Sequence, residues 1–232
     1  QTMTRQQNAF EKHISIDENV DFLKRYAYLE RACMRTLAGW MPGIPEWEPK
    51  NEFGLHIWES ADSANELRIR LRELRCHQPE RNLSPVLETL MQELNHAQNT
   101  AEVIATVYLV IKRALLEAYR NHPDTTWKDF DRPTVKVMDR LITVTEKQVE
   151  WAERVFESVK SDYSDWESWR DYILALLSAD GGITGTDEKS PPLARPNEHH
   201  LLLPWQECQR QPDWIIFDPK SPSFMAIQAL SQ

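Results

Sequence analysis

The sequence predicts an all-α protein in which four long helices pack as a bundle, with extra short helices and an irregular proline-rich C-terminal arm. Three observations carry that prediction. Of six glycines, only Gly54 lies between Gly43 and Gly181, so the middle of the chain is nearly free of breakers. Through that stretch the apolar residues recur every three or four positions, the period of a helix with one buried face. Half of the fourteen prolines lie beyond Asp180, where this periodicity stops.

The first helix is expected to start at Ser15, which makes a capping box with Glu18. Its stripe is Leu23, Tyr26, Ala27, Met34 and Leu37, and Pro42, Gly43 and Pro45 forbid continuation past Trp40. The second helix is expected over residues 51–75, buried through Phe53, Ile57, Ala61, Ala64, Leu67, Leu71 and Leu74. The arginines of residues 68–75 read as a solvated face. A short helix follows, capped by Ser84 with Pro85 at its first position.

The third long helix is expected over residues 100–121, facing inward through Val103, Ile104, Val107, Tyr108, Ile111, Leu115 and Ala118. Its β-branched start leaves a strand as the alternative there, and the unbroken period to Tyr119 decides for helix. The fourth is expected over residues 131–160, with Pro133 in its first turn. A fifth is expected from Ser164, boxed by Glu167, to a left-handed cap at Gly181 and Gly182. The domain reading is therefore a bundle over residues 15–180 and an arm over residues 181–232. Residues 181–197 read as a mobile linker. The apolar islands at 201–205 and 214–217 belong against the bundle or a second subunit, which makes a homodimer through the arm one expectation.

The formal charge of −9 argues against a nucleic-acid partner, since nothing neutralises phosphates over a wide surface. Cys33, Cys76 and Cys208 fit neither a disulfide framework nor a zinc spacing, and reduced thiols point to a cytoplasmic protein. No apolar run approaches the ~18 residues of a membrane span, and no secretory signal is read. Nine tryptophans serve either the core or the wall of a pocket for an apolar or aromatic ligand.

A bundle builds a reactive site from polar side chains on its inward stripes. Glu30 lies seven residues from both Leu23 and Leu37. His56, Ser60 and Ser63 lie among the apolar positions of the second helix, with Glu59 and Asp62 toward its edge. His56 and Glu59, three apart, share a face. Thr145 and Gln148 sit on the fourth stripe, and Glu117, Tyr108 and Tyr119 on or beside the third. No phosphate loop, nucleophile elbow or cofactor fingerprint is present.

Several blocks occur in one order: Met34-Arg35-Thr36-Leu37-Ala38-Gly39-Trp40-Met41-Pro42, then Pro45-Glu46-Trp47-Glu48, His56-Ile57-Trp58-Glu59 and residues 67–75. Leu115-Leu116-Glu117-Ala118-Tyr119-Arg120, Pro133-Thr134-Val135 and Glu150-Trp151-Ala152-Glu153 follow. Over roughly residues 20–160 this resembles a group of bacterial ferritin-like proteins. The resemblance implies a di-metal bundle with oxygen-activating redox chemistry. It places paired ligands at 60 and 63 and at 145 and 148, with Glu30 and Glu117 supplying the other two. Those paired positions hold Ser60, Ser63, Thr145 and Gln148, which are weak ligands for iron or manganese.

The leading expectation is thus a degenerate di-iron site: no cofactor, and a small-molecule pocket running metal-independent acid/base chemistry. Glu30, His56 and Glu59 are its catalytic candidates, and Trp58, Ser60, Ser63, Tyr108, Glu117, Thr145 and Gln148 its substrate-binding candidates. The alternatives are a non-haem iron or manganese oxidoreductase using Glu30, His56, Glu59 and Asp62, and a non-catalytic scaffold or partner subunit.

Overall fold

A computed structural model describes residues 13–79 and 83–196. Every regular element among them is helical, as the patterning predicts. The chain forms α1 (Ile16–Trp40), α2 (Trp47–Glu73), α3 (Pro85–Glu93) and α4 (Thr100–Val103). A π segment (Ile104–Lys112) runs straight on from α4 into α5 (Arg113–Thr125); α6 (Arg132–Val159) and α7 (Trp166–Ala179) follow. The long helices pack side by side: α1 lies on α2, α6 on α5 and the π segment, and α2 on α6. The shorter α3 and α7 pack on each other, and α7 also covers the π segment. Among the described residues no helix is long and apolar enough to cross a membrane.

Local chemistry fixes most of the ends. The Ser15 hydroxyl accepts from the Glu18 amide at 3.2 Å while the Glu18 carboxylate accepts from the Ser15 amide at 2.8 Å, so the predicted box is formed. Ser84 caps α3 with Pro85 behind it, and Asn99 caps α4 through the Glu102 amide. Gly181 and Gly182 take φ of 81° and 73°, as expected of the stop after α7.

Three boundaries differ from expectation. α2 begins at Trp47, ahead of the expected residue 51, because Pro49 falls in the first turn, where an amide hydrogen has no helical acceptor anyway. The third long helix continues past residue 121 to Thr125 and carries Pro123 in its last turn. The Ser164–Glu167 box is absent: Asp165, with φ of 63°, occupies the N-cap of α7 instead.

The expected linker is also corrected in its first part. Arg25 donates from Nε to the Ile183 carbonyl at 2.7 Å and from Nη2 to the Asp180 carboxylate at 2.5 Å and the Gly182 carbonyl at 2.8 Å. Residues 180–187 are thereby clasped to α1, and Ile183 is buried. Further on, Arg195 pairs with Glu93 at 2.8 Å. The islands at 201–205 and 214–217, Cys208 and the proposed arm contacts lie outside the described residues.

Candidate functional site

The core cluster includes Leu23, Leu37, Phe53, Leu67, Tyr108, Leu115 and Tyr119, and it surrounds a set of polar groups. Glu30, Ser60, Thr145 and Gln148 are 0% exposed, Lys112 is 1% and His56 and Ser63 are 4%, so all seven are buried. The sequence reading had not singled out Lys112, yet it organises the set. Its Nζ lies 2.5 Å from Glu30 Oε2 and 2.9 Å from Ser60 Oγ, and Tyr119 donates to Glu30 Oε1 at 3.0 Å. One ammonium thus joins α1, α2 and the third long helix in the buried interior. Burying either charge alone would be costly; the pair and its two hydroxyl neighbours offset that cost.

Lys112 closes the π segment, a widened winding that recurs at functional sites. The signal for it was in the sequence. Lys112 follows Tyr108 by four and precedes Leu115 by three and Tyr119 by seven, which is the inward stripe.

A second group lies beside the ion pair. His56 Nδ1 and the Tyr108 hydroxyl are 2.8 Å apart, and Trp151 packs edge-on to both rings with centroids at 4.9 and 5.4 Å. Burial, and secondarily the Lys112 charge, push the His56 imidazole down to about 4, so it is neutral near pH 7. The Glu52 carboxylate at 4.0 Å from Nε2 is therefore a neighbour and not an ion-pair partner. Burial drives the Tyr108 and Tyr119 phenols well above their usual range and the Cys33 thiol up to about 12, so Cys33 is no nucleophile.

The inner face of α6 supplies the third component. Thr145 Oγ1, Gln148 Oε1 and Trp151 Nε1 are buried without a protein hydrogen-bond partner. They fall three residues apart, one helical face. Gln148 spends its amide hydrogen on Glu59 Oε2 at 2.7 Å, which leaves its carbonyl turned elsewhere. Buried polar atoms left unpaired by protein are where a small polar molecule gains most.

The remaining candidates are dispersed. Trp58 is 64% exposed and Glu117 is also exposed, so neither belongs to the interior. Asp62 pairs with Arg140 at 2.5 Å at the surface. Glu59 reaches the set through Gln148. Among the described residues no three His, Cys, Asp or Glu are grouped to hold a metal ion. With Ser60, Ser63, Thr145 and Gln148 at the buried paired positions, and a lysine ammonium on Glu30, the donor set does not fit a two-metal centre. An ammonium cannot ligate, and it repels a dication.

A separate polar network ties the far end of the helices. Asp131 accepts from Asn19 (2.7 Å), Thr134 (2.7 Å) and Arg70 (2.6 Å). Burial pushes its carboxyl up, but these bonds outweigh burial and hold it below the usual range. Asn19 Oδ1 lies 3.0 Å from His122 Nε2, and His122 Nδ1 lies 3.3 Å from the Tyr26 hydroxyl. Burial takes His122 down to about 4 against the opposing Asp131 charge. Arg70, expected in a solvated face, is thus a structural residue.

No protein-family model, curated protein or solved structure matches this chain.

Proposed function

We propose that the chain is a metal-independent, ferritin-like bundle that binds a small polar organic molecule at the inner face of α6 and exchanges protons with it. The observation that carries this reading is the Lys112 ammonium, 2.5 Å from Glu30 and 2.9 Å from Ser60, among the positions where the family resemblance would place metal ligands. A fixed cation there supplies what a metal would otherwise supply: a positive field in a low-dielectric space. Neutral His56 can accept a proton through its free ring nitrogen, with Tyr108 fixing the other. Thr145, Gln148 and the Trp151 indole hydrogen offer one hydroxyl, one acceptor and one donor to orient the guest.

Two measurements on the full chain test this. Protein produced in medium supplemented with iron and manganese is expected to carry well below one ion per chain by plasma mass spectrometry. Two tightly held ions per chain would overturn the reading. A fragment library screened by NMR is expected to shift the Trp151 indole and Gln148 amide signals, and Gln148→Leu is expected to abolish those shifts. A library whose hits all leave both signals in place removes the binding half of the proposal.

A further inference from the structure

Three atoms on the inner face of α6 set terms for a guest. Thr145 Oγ1, Gln148 Oε1 and Trp151 Nε1 are each buried and have no protein partner. A buried polar group left bare costs about 1–3 kcal/mol, so the face favours an occupant that meets all three. Their needs differ. The Trp151 indole only donates, so it needs an acceptor. The Gln148 carbonyl only accepts, so it needs a donor; its direction is set because the Gln148 amide nitrogen is spent on Glu59 Oε2 at 2.7 Å. The Thr145 hydroxyl takes either.

Charge narrows the choice. Glu30 and Lys112 cancel each other at 2.5 Å, and His56 is neutral, so these groups leave no net charge for an ionic guest to neutralise. Two partly exposed carboxylates border them: Glu52, 4.0 Å from His56 Nε2, and Glu59 on Gln148. Neither has a lysine or arginine partner among the described residues. They repel a carboxylate, which also offers the Gln148 carbonyl no hydrogen. An ammonium offers the Trp151 hydrogen no acceptor. A primary carboxamide has no charge and carries both functions, a carbonyl for the indole and an NH2 for the glutamine. The Trp151 ring also packs on Phe53, His56 and Tyr108, with centroids at 6.1, 4.9 and 5.4 Å, an aromatic wall that suits a short apolar body.

We infer that the face formed by Thr145, Gln148 and Trp151 binds a small uncharged primary carboxamide, whose carbonyl accepts from the Trp151 indole and whose NH2 donates to the Gln148 carbonyl. This names the guest class for the binding function proposed above and rests on it.

Propionamide is the probe, set against propionate and propylammonium, which are close to it in size and differ in charge. Each is titrated into the full chain while the Trp151 indole signal is followed by NMR. Propionamide is expected to saturate that signal at a concentration about tenfold lower than either ion, since each ion leaves one buried atom unmet. Trp151→Phe, checked for an unchanged far-ultraviolet spectrum and followed at the Gln148 side-chain amide, is expected to weaken propionamide by about tenfold. An ion that saturates as early as propionamide, or a folded Trp151→Phe protein that binds it undiminished, would overturn the carboxamide assignment and leave a polar-guest site standing. If none of the three saturates while fragments of other chemistry do, the assignment falls alone. If no compound of any kind shifts these signals, water is the occupant, and the binding function proposed above falls with the assignment.

Discussion

Lys112 is the residue on which the interior depends most. Removing one partner of a buried pair leaves the other charge without compensation, typically at about 3–5 kcal/mol. Lys112→Met is therefore expected to lower stability by about that amount in urea unfolding, with Glu30→Gln losing less because the amide still accepts from Tyr119. The double variant Glu30→Leu with Lys112→Met removes both charges and is expected to be more stable than Lys112→Met alone. A double variant less stable than that single would mean that the pair acts through something other than mutual neutralisation. Glu30, His56, Thr145 and Gln148 were legible in the sequence because a polar residue on an apolar stripe stands out. Lys112 obeyed the same spacing. Spacing alone does not mark it, because a lysine on a stripe usually runs its stem along apolar surface and puts its charge in water. Here Glu30 keeps the charge inside.

Elements were legible where their signals are local. Ser15, Ser84 and the Gly181–Gly182 pair mark their helix ends because capping needs only neighbouring atoms. Gly181 illustrates the cost of violating such a signal. A Cβ there would sit 2.8 Å from the Gly185 carbonyl oxygen on a backbone with φ of 81°. Gly181→Ala is expected to destabilise the chain by about 1–3 kcal/mol, measurable as a lowered thermal midpoint; an unchanged midpoint would mean that the loop after α7 rearranges freely. The Ser164–Glu167 pattern failed for the converse reason. The chain has to turn from α6 into α7, and Asp165 does so in the left-handed region, which takes Ser164 out of capping position. The π winding was not legible at all. No residue type encodes it; the segment is buried almost on every side, with α6 and α7 packed against it.

At the scale of the molecule, two buried imidazoles among the described residues, His56 and His122, carry the response to acid. His56 and His122 titrate near 4 in the folded chain and near 6.5 when unfolded. Below pH 6.5 the unfolded chain takes up protons that the folded chain refuses, so stability falls as pH drops toward 4. Glu102 acts oppositely. Burial raises it to about 7 against bonds from Gln98 and Asn99, so the folded chain holds its extra proton between 4.5 and 7. Between 4.5 and 6.5 two imidazoles outweigh one carboxyl, and the net slope is about one proton, or ~1.4 kcal/mol per pH unit. Urea midpoints are expected to fall steadily as pH goes from 6.5 to 4.5, and His122→Gln is expected to flatten that fall. A profile that is level or rises toward acid would show that the buried imidazoles do not control acid stability.

The π segment sets a phase between two halves of one rod. Upstream, the Thr100 hydroxyl meets Glu46 at 2.6 Å; downstream, Lys112 and Tyr119 meet Glu30. Ordinary α winding turns 100° per residue, so a chain shortened by one residue between the two ends could keep either set of partners in register, not both. The extra girth of that stretch is what lets a single continuous helix answer to both ends of the protein.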